Sequence, residues 1–207
     1  MKIVHLFHNL MNLYGEYANV LALRRELENG GTSVAVENQS VGDKIDLSDA
    51  DFIYIGSGTE KNQKAALEAV KPFADEISKA LERGAAVLAT GNSFEMFGRK
   101  ITDKNGRDFD GLGFFDFTVT ESDKRVVTDS VCAFNGGEII GFVNKASEIS
   151  GVKNPLFTVK QGAGNSSEDT ANEGVHEGNF YGTHIIGPLL IRNNAVAKYF
   201  AELLLKK

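Results

Sequence analysis

The feature that most narrows what this chain can fold into is a junction repeated in its first half. A short apolar run ends abruptly in glycine or a polar turn, and a helix-length segment follows. Residues 2–7 form the first apolar run, and residues 16–29 carry Val20, Leu23 and Leu27 at helical spacing with Arg24, Arg25, Glu26 and Glu28 outside. Asn29-Gly30-Gly31 supplies the stop. Ser33–Val36 reads as a second strand, and Asp51–Ile55 as a third that runs into Gly56-Ser57-Gly58. A helical region over 61–83, broken near Pro72, leads to the small-residue strand Ala85–Thr90. That strand runs into Gly91-Asn92-Ser93 and a short helix from Phe94. The order β-α-β-β-α-β-α predicts a parallel sheet covered on both faces, because parallel neighbours need a crossover and the crossovers here have helical pattern.

The second half has a different texture. Phe117–Thr120, Arg125–Ala133 and Glu138–Phe142 read as strands, with Asn135-Gly136-Gly137 as a tight turn between the last two. Residues 161–174 are rich in Gly, Asn and Ser and predict a polar loop. Asn179–Ile185 reads as a last strand and Asn194–Leu205 as a closing amphipathic helix. The expected fold class is therefore α/β: a flavodoxin-like open, mostly parallel sheet with helices on both faces and appended antiparallel strands. No repeat or long linker divides the chain, so 1–207 is expected to be one domain.

Composition excludes more than it assigns. A formal net charge of -6 argues against a nucleic-acid or anionic-membrane surface, since such surfaces are held by Lys and Arg. A single cysteine, Cys132, permits neither an internal disulfide nor a cysteine metal cluster. No apolar run reaches the roughly 18 residues of a membrane span, and a cytoplasmic, bacterial-type protein is the expectation. No two histidines stand at i, i+4, and no metal or cofactor is expected.

In open parallel sheets, ligands gather beyond the carboxyl ends of the strands. Two junctions here have that form. Gly56-Ser57-Gly58 reads either as a nest of amides for an anion or oxyanion, or as a plain tight turn. Gly91-Asn92-Ser93-Phe94-Glu95 partly resembles a nucleophile elbow, G-x-S-x-G, but has Glu95 where that turn has glycine. Ser93 is thus a candidate hydrolase nucleophile or simply a residue of the first helical turn. Of His5, His8, His176 and His184, only His184 stands at a late strand end, where a base would be placed, or where a strand histidine bonded to backbone would equally sit.

Several stretches together resemble one family. Asn12-Leu13-Tyr14 with Asn19 and Ala22-Leu23-Arg24, then Ile55–Gln63, Gly111-Leu112-Gly113 with Phe115-Asp116-Phe117, and Gly141-Phe142-Val143-Asn144 match in order. Gly182-Thr183-His184-Ile185-Ile186-Gly187-Pro188-Leu189-Leu190-Ile191-Arg192-Asn193 is similar to G-T-Y-x-H-G-P-L-L-P-R-N. From about residue 3 to 205 the chain resembles the class I glutamine amidotransferases of the CobB/CobQ, cobyric-acid-synthase type. Within them it resembles GatD, the glutaminase subunit of lipid II isoglutaminyl synthase. The resemblance implies a cysteine at the elbow that attacks glutamine, a histidine on a late strand, backbone amides for the oxyanion, and a Mur-ligase-like (MurT-type) partner that uses the ammonia in peptidoglycan synthesis.

Two positions depart from that pattern. The family's elbow is like T-I-C-G-G-Y-Q-F-L-G; anchored on Gly98, its cysteine falls at Gly91, and the late histidine falls at Ile186. Cys132 lies inside a strand, where the family has an aliphatic residue. A displaced Ser93–His184 pair is conceivable, but strand rise sets His184 roughly 6–7 Å from the family's base position. The resemblance puts Arg125 at the grip on the glutamine carboxylate, with a surface arginine as the plain reading, and Val143 where the family has a glutamate. Gly56, Ser57, Gly58, Asn92 and Arg125 are the expected ligand-binding residues. The leading expectation is a catalytically degenerate domain that binds a small ligand such as glutamine, or a Mur-ligase-like partner. The alternatives are an active glutaminase subunit and a serine hydrolase using Ser93 and His184.

Overall fold

The central runs of the first half become a parallel sheet because, unlike the polar strand at its edge, they carry buried residues on both of their faces. In the computed structural model, which describes residues 1–206, Lys2–Leu6 (β1), Ala35–Gln39 (β2), Phe52–Ile55 (β3) and Ala86–Thr90 (β4) are its first four strands. They pair in parallel, with β1 between β2 and β3, and β3 against β4. Every residue of β3 and β4 is buried. Alternation sorts them: Ile53, Ile55, Val87 and Ala89 enter one apolar cluster, while Phe52, Tyr54, Ala86 and Leu88 enter the other.

Helices close both faces. Tyr17–Asn29 (α1) lays Val20, Leu23 and Leu27 into the second cluster. Glu60–Val70 (α2) and Ala74–Glu82 (α3) lay Ala66, Leu67, Val70 and Ile77 into the first. A single 3-10 turn, Lys71–Phe73, separates α2 from α3 at Pro72, which has no N–H for a helical bond. Thr59 starts α2 by accepting from the Asn62 N–H. The segment after β4 is a 3-10 helix, Gly91–Phe97, where a short helix was expected from Phe94.

The appended part is a second sheet. Lys100–Thr102 (β5) and Asp108–Asp110 (β6) form a small pair, and β5 joins Thr118–Phe134 (β7). Gly137–Ser150 (β8) runs antiparallel to β7 along its length. Asn135 and Gly136 both have positive φ, 49° and 78°, which is the geometry of the tight turn expected there. Two expected strands, 117–120 and 125–133, are one long strand with a register shift between Glu121 and Val126. β8 continues well past the expected Phe142 end, because the inward period-two positions persist through polar side chains: Ile139, Gly141, Val143, Lys145, Ser147, Ile149.

The last residue of Phe157–Gln161 (β9) and the whole of Asn172–Glu173 (β10) lie inside the stretch 161–174 expected to be all loop, because the two segments pair antiparallel. Val175–Glu177 (β11) then turns antiparallel into Phe180–Thr183 (β12), which pairs in parallel with β4 and completes the first sheet in the order β11-β12-β4-β3-β1-β2. Leu189–Arg192 (α4) and Asn194–Leu205 (α5) end the fold, α5 placing Val196, Ala197 and Phe200 beside α1 and Phe52. The expected domain of 1–207 includes Lys207, which lies outside the described residues. Among those residues no helix is long and apolar enough to cross a membrane.

Phe200 is 2% exposed and meets Phe52 edge-on, whereas Ile191 is 56% exposed. Phe200→Ala is expected to cost about 3–5 kcal/mol in urea unfolding, and Ile191→Ala no more than about 0.5 kcal/mol. Equal losses would contradict this packing.

Candidate functional site

β3 and β4 end side by side, and the two glycine turns that follow them face each other. Gly91, the first residue after β4, has φ +64, a left-handed conformation at a sharp strand-to-helix turn. The Gly56–Gly58 turn packs on the chain at Met11: a Cβ at Gly56 would lie 2.4 Å from Met11 O, and one at Gly58 2.5 Å from Met11 Sδ. Leu13 N–H donates to Ser57 O at 3.0 Å. Glycine is required at 56 and 58 for this close approach.

Two amides of that turn, those of Ser57 and Gly58, are already engaged. Ser57 N–H donates to Glu16 Oε2 at 2.6 Å, the Ser57 hydroxyl donates to the same oxygen, and Gly58 N–H donates to Asn92 Oδ1 at 3.0 Å. Glu16 stands at the start of α1 without capping it, because its carboxylate turns inward; the Thr90 hydroxyl donates to Oε1 at 2.7 Å. Tyr54 OH, Asn19 and Leu190 N–H continue this chain of bonds, each link at 2.7 Å. Burial pushes the Glu16 carboxyl above its ordinary range, with the bonds from Ser57 and Thr90 opposing.

A second buried network lies beyond the elbow. Glu95 fits because partners surround it: Oε1 takes Ser147 Oγ at 2.5 Å and His184 Nε2 at 2.9 Å, and Oε2 takes Gln63 Nε2 at 2.5 Å. Glu173 accepts the Thr183 hydroxyl and the His184 N–H, both at 2.6 Å. Lys145 Nζ donates to Gly164 O and Asn165 O at 2.7 Å each. Burial lowers the pKa of Lys145 and of His184 and raises that of Glu173 to about 7. Glu95 partly restores His184 through their hydrogen bond, while Glu173 and Glu95 partly restore Lys145.

Between the two networks opens a cavity of about 230 Å³, lined among others by Asn92, Glu95, Arg125, Asn144, Lys145 and Ser147. Arg125 stands at its rim, donating to Asn144 Oδ1 at 2.9 Å and to Glu60. Asn144 in turn donates to Tyr14 OH at 2.7 Å.

Of the expected ligand-binding residues, Ser57, Gly58, Asn92 and Arg125 line this cavity and Gly56 lies behind it. Ser93 and His184 are both buried but are not paired with each other. Ser93 Oγ donates to Ile55 O at 3.0 Å and Thr90 O at 2.9 Å, and His184 is held by Glu95. Ile186 is buried, and its backbone bridges Phe142. Val143 is likewise wholly buried. Cys132 is fully buried, its thiol pushed up to about 12 by burial. Glu16, Glu95, Lys145, Ser147 and Glu173 were missed. Lys145 and Ser147 had a readable signal, since they are polar residues on the inward period of a strand.

The family model for the CobB/CobQ-like glutamine amidotransferase domain matches residues 2–194. The chain belongs to this family. It is 28% identical over 203 residues to "Lipid II isoglutaminyl synthase (glutamine-hydrolyzing) subunit GatD" of Staphylococcus aureus (strain N315), covering 98% of this chain and 83% of that protein. To the protein of the same name from Streptococcus pneumoniae (strain ATCC BAA-255 / R6) it is 29% identical, covering 100% and 81%. PurLQS from Thermotoga maritima superposes with a TM-score of 0.65 at 15% identity, covering 99% of this chain and 97% of that one. The acivicin-bound glutaminase domain of Trypanosoma brucei CTPS gives 0.57 at 9%, covering 100% and 94%. These structural likenesses bear out the expected α/β amidotransferase fold. Among the described residues no group of three or more His, Cys, Asp or Glu is arranged to hold a metal ion.

A glutamate raised from 4.5 to about 7 on folding binds its proton more tightly when folded. Its contribution to stability is therefore full below about pH 4.5 and is lost as pH rises towards 7. Between pH 5 and 8 the wild type is expected to lose on the order of 1–3 kcal/mol relative to Glu173→Gln in urea unfolding. Parallel pH profiles for the two proteins would remove Glu173 as the source.

Proposed function

We propose that this CobB/CobQ-like amidotransferase domain binds a small ligand or a partner protein and does not hydrolyse glutamine by itself. One observation carries the reading. The elbow residue that the family resemblance aligns with the cysteine nucleophile is Gly91, and the two substitutes beyond it, Ser93 and His184, are not paired with each other. Ser93 Oγ is bonded to two backbone carbonyls, His184 to Glu95, and Ile186 offers no proton to transfer. Triad-type sites lose activity as a unit, so absence of either member costs several orders of magnitude in rate. The cavity beside Arg125 supports retained binding of glutamine or a similar amino acid. The names of the two relatives support a partner in cell-wall amidation, a Mur-ligase-like protein on this reading. Those names equally favour a second reading, in which a partner subunit supplies the missing groups and the assembly hydrolyses glutamine.

Ammonia release from glutamine separates the two. The purified protein alone is expected to release none above background, and adding a Mur-ligase-like partner is expected to leave that unchanged. Glutamine is expected to raise the melting temperature of the wild type, and Arg125→Ala to remove the rise. Robust ammonia release that Ser93→Ala or His184→Ala abolishes would sink the non-hydrolytic reading. Release only in the presence of the partner would establish the second.

A further inference from the structure

The structure holds a reason for the glycine at 91 that lies outside residue 91. A Cβ added to Gly91 at ideal geometry would lie 2.2 Å from Ser57 Cβ, 3.1 Å from its Oγ and 3.2 Å from its Cα. The Cβ–Cβ approach is the decisive distance. Neither atom moves when a side chain changes rotamer, so only a backbone displacement or removal of the Ser57 side chain relieves it. The backbone on the Ser57 side has nowhere to go. Ser57 N–H is bonded to Glu16 and its carbonyl to Leu13 N–H, and both flanking glycines already pack against Met11. The β4 side is held too, because Thr90 Oγ1 is bonded to the same Glu16 carboxylate.

We propose that Ser57 is a specificity-determining residue of this site. Its side chain occupies the volume that any nucleophile at 91 needs, so the site admits a cysteine there only when 57 is glycine. Loss of the nucleophile and the presence of Ser57 are then one coupled state. The turn at 91 keeps its left-handed elbow conformation, so what is closed is the space in front of it. Ser57 is itself a wall of the cavity and only 3% exposed. Removing its side chain extends the cavity to residue 91. This inference rests on the proposal that Gly91 stands at the nucleophile position.

The test is a cycle of Ser57→Gly, Gly91→Cys and the double variant, read by melting temperature and by alkylation with iodoacetamide mapped by mass spectrometry. Mapping separates the introduced thiol from the buried Cys132. G91C is expected to melt on the order of 10 °C below wild type. The double variant should regain at least half of that loss, although S57G alone removes a hydroxyl bonded to Glu16. The introduced thiol should alkylate at least about tenfold faster in the double variant than in G91C, as expected for an exposed rather than a packed thiol. A second cycle with Gly91→Ala probes the same Cβ without a thiol and stands in if G91C fails to fold. If neither single variant at 91 folds, folding of either double supports the coupling and failure of both overturns it. Additive melting shifts in both cycles, or an introduced thiol equally reactive with Ser57 in place, also overturns it. Ammonia release by the wild type would refute the non-hydrolytic reading separately, without altering either cycle.

Discussion

The Glu16 carboxylate is the joint on which the site is hung. It sits fully buried where β3 and β4 end, and it takes the Ser57 amide and hydroxyl on one oxygen and the Thr90 hydroxyl on the other. A buried carboxylate without such donors would cost several kcal/mol. With them, it ties the start of α1 to both strand ends at once. The Gly56–Gly58 turn, the elbow and the Leu13–Tyr14 stretch therefore share one fixed geometry. Because Ser57 N–H serves Glu16 and Gly58 N–H serves Asn92, the turn that resembles an anion nest uses its amides on its own chain.

The second network obeys the same rule with larger charges. Glu95, Glu173, Lys145 and His184 are each at most 5% exposed. Such groups persist only when every one finds partners. They do so by drawing on five separate parts of the chain: α2 through Gln63, the elbow helix, β8, the stretch before and including β10, and the end of β12. The cost of burying any one of them alone makes the network cooperative. It also pins the second sheet against the first beside the cavity, which is where the two sheets must meet for Arg125 and Asn144 on β7 and β8 to reach its rim.

Much of this was legible from residues alone. The glycine junctions placed β3, β4 and their turns, Pro72 marked the break between α2 and α3, and Asn135-Gly136 marked the hairpin. The boundaries of α5 were read correctly from apolar spacing. β7 was split in two because Glu121–Arg125 interrupts its alternation, and β8 was cut short at Phe142 because Lys145 and Ser147 were not read as inward residues. The β8 error has a plain physical source, because a polar residue on an inward position looks like solvent exposure until its buried partner is known. In β7 residues 122–125 are exposed, and only the pairing with β8 on both sides of the register shift joins the two halves.

The sequence by itself determined the α/β class, the family and the identity of residues 91 and 186, since local periodicity and collinear motifs are properties of the chain alone. Only the tertiary structure decided what surrounds them. That Ser93 Oγ reaches Ile55 O and His184 reaches Glu95, that Glu16 takes the Ser57 amide and Asn92 the Gly58 amide, and that the Ser57 side chain stands where a Cβ at 91 would go depend on contacts between segments 34 to 89 residues apart. Side-chain volume and hydrogen-bond direction act through space, and nothing in local sequence pattern encodes which distant backbone will be held within hydrogen-bonding reach.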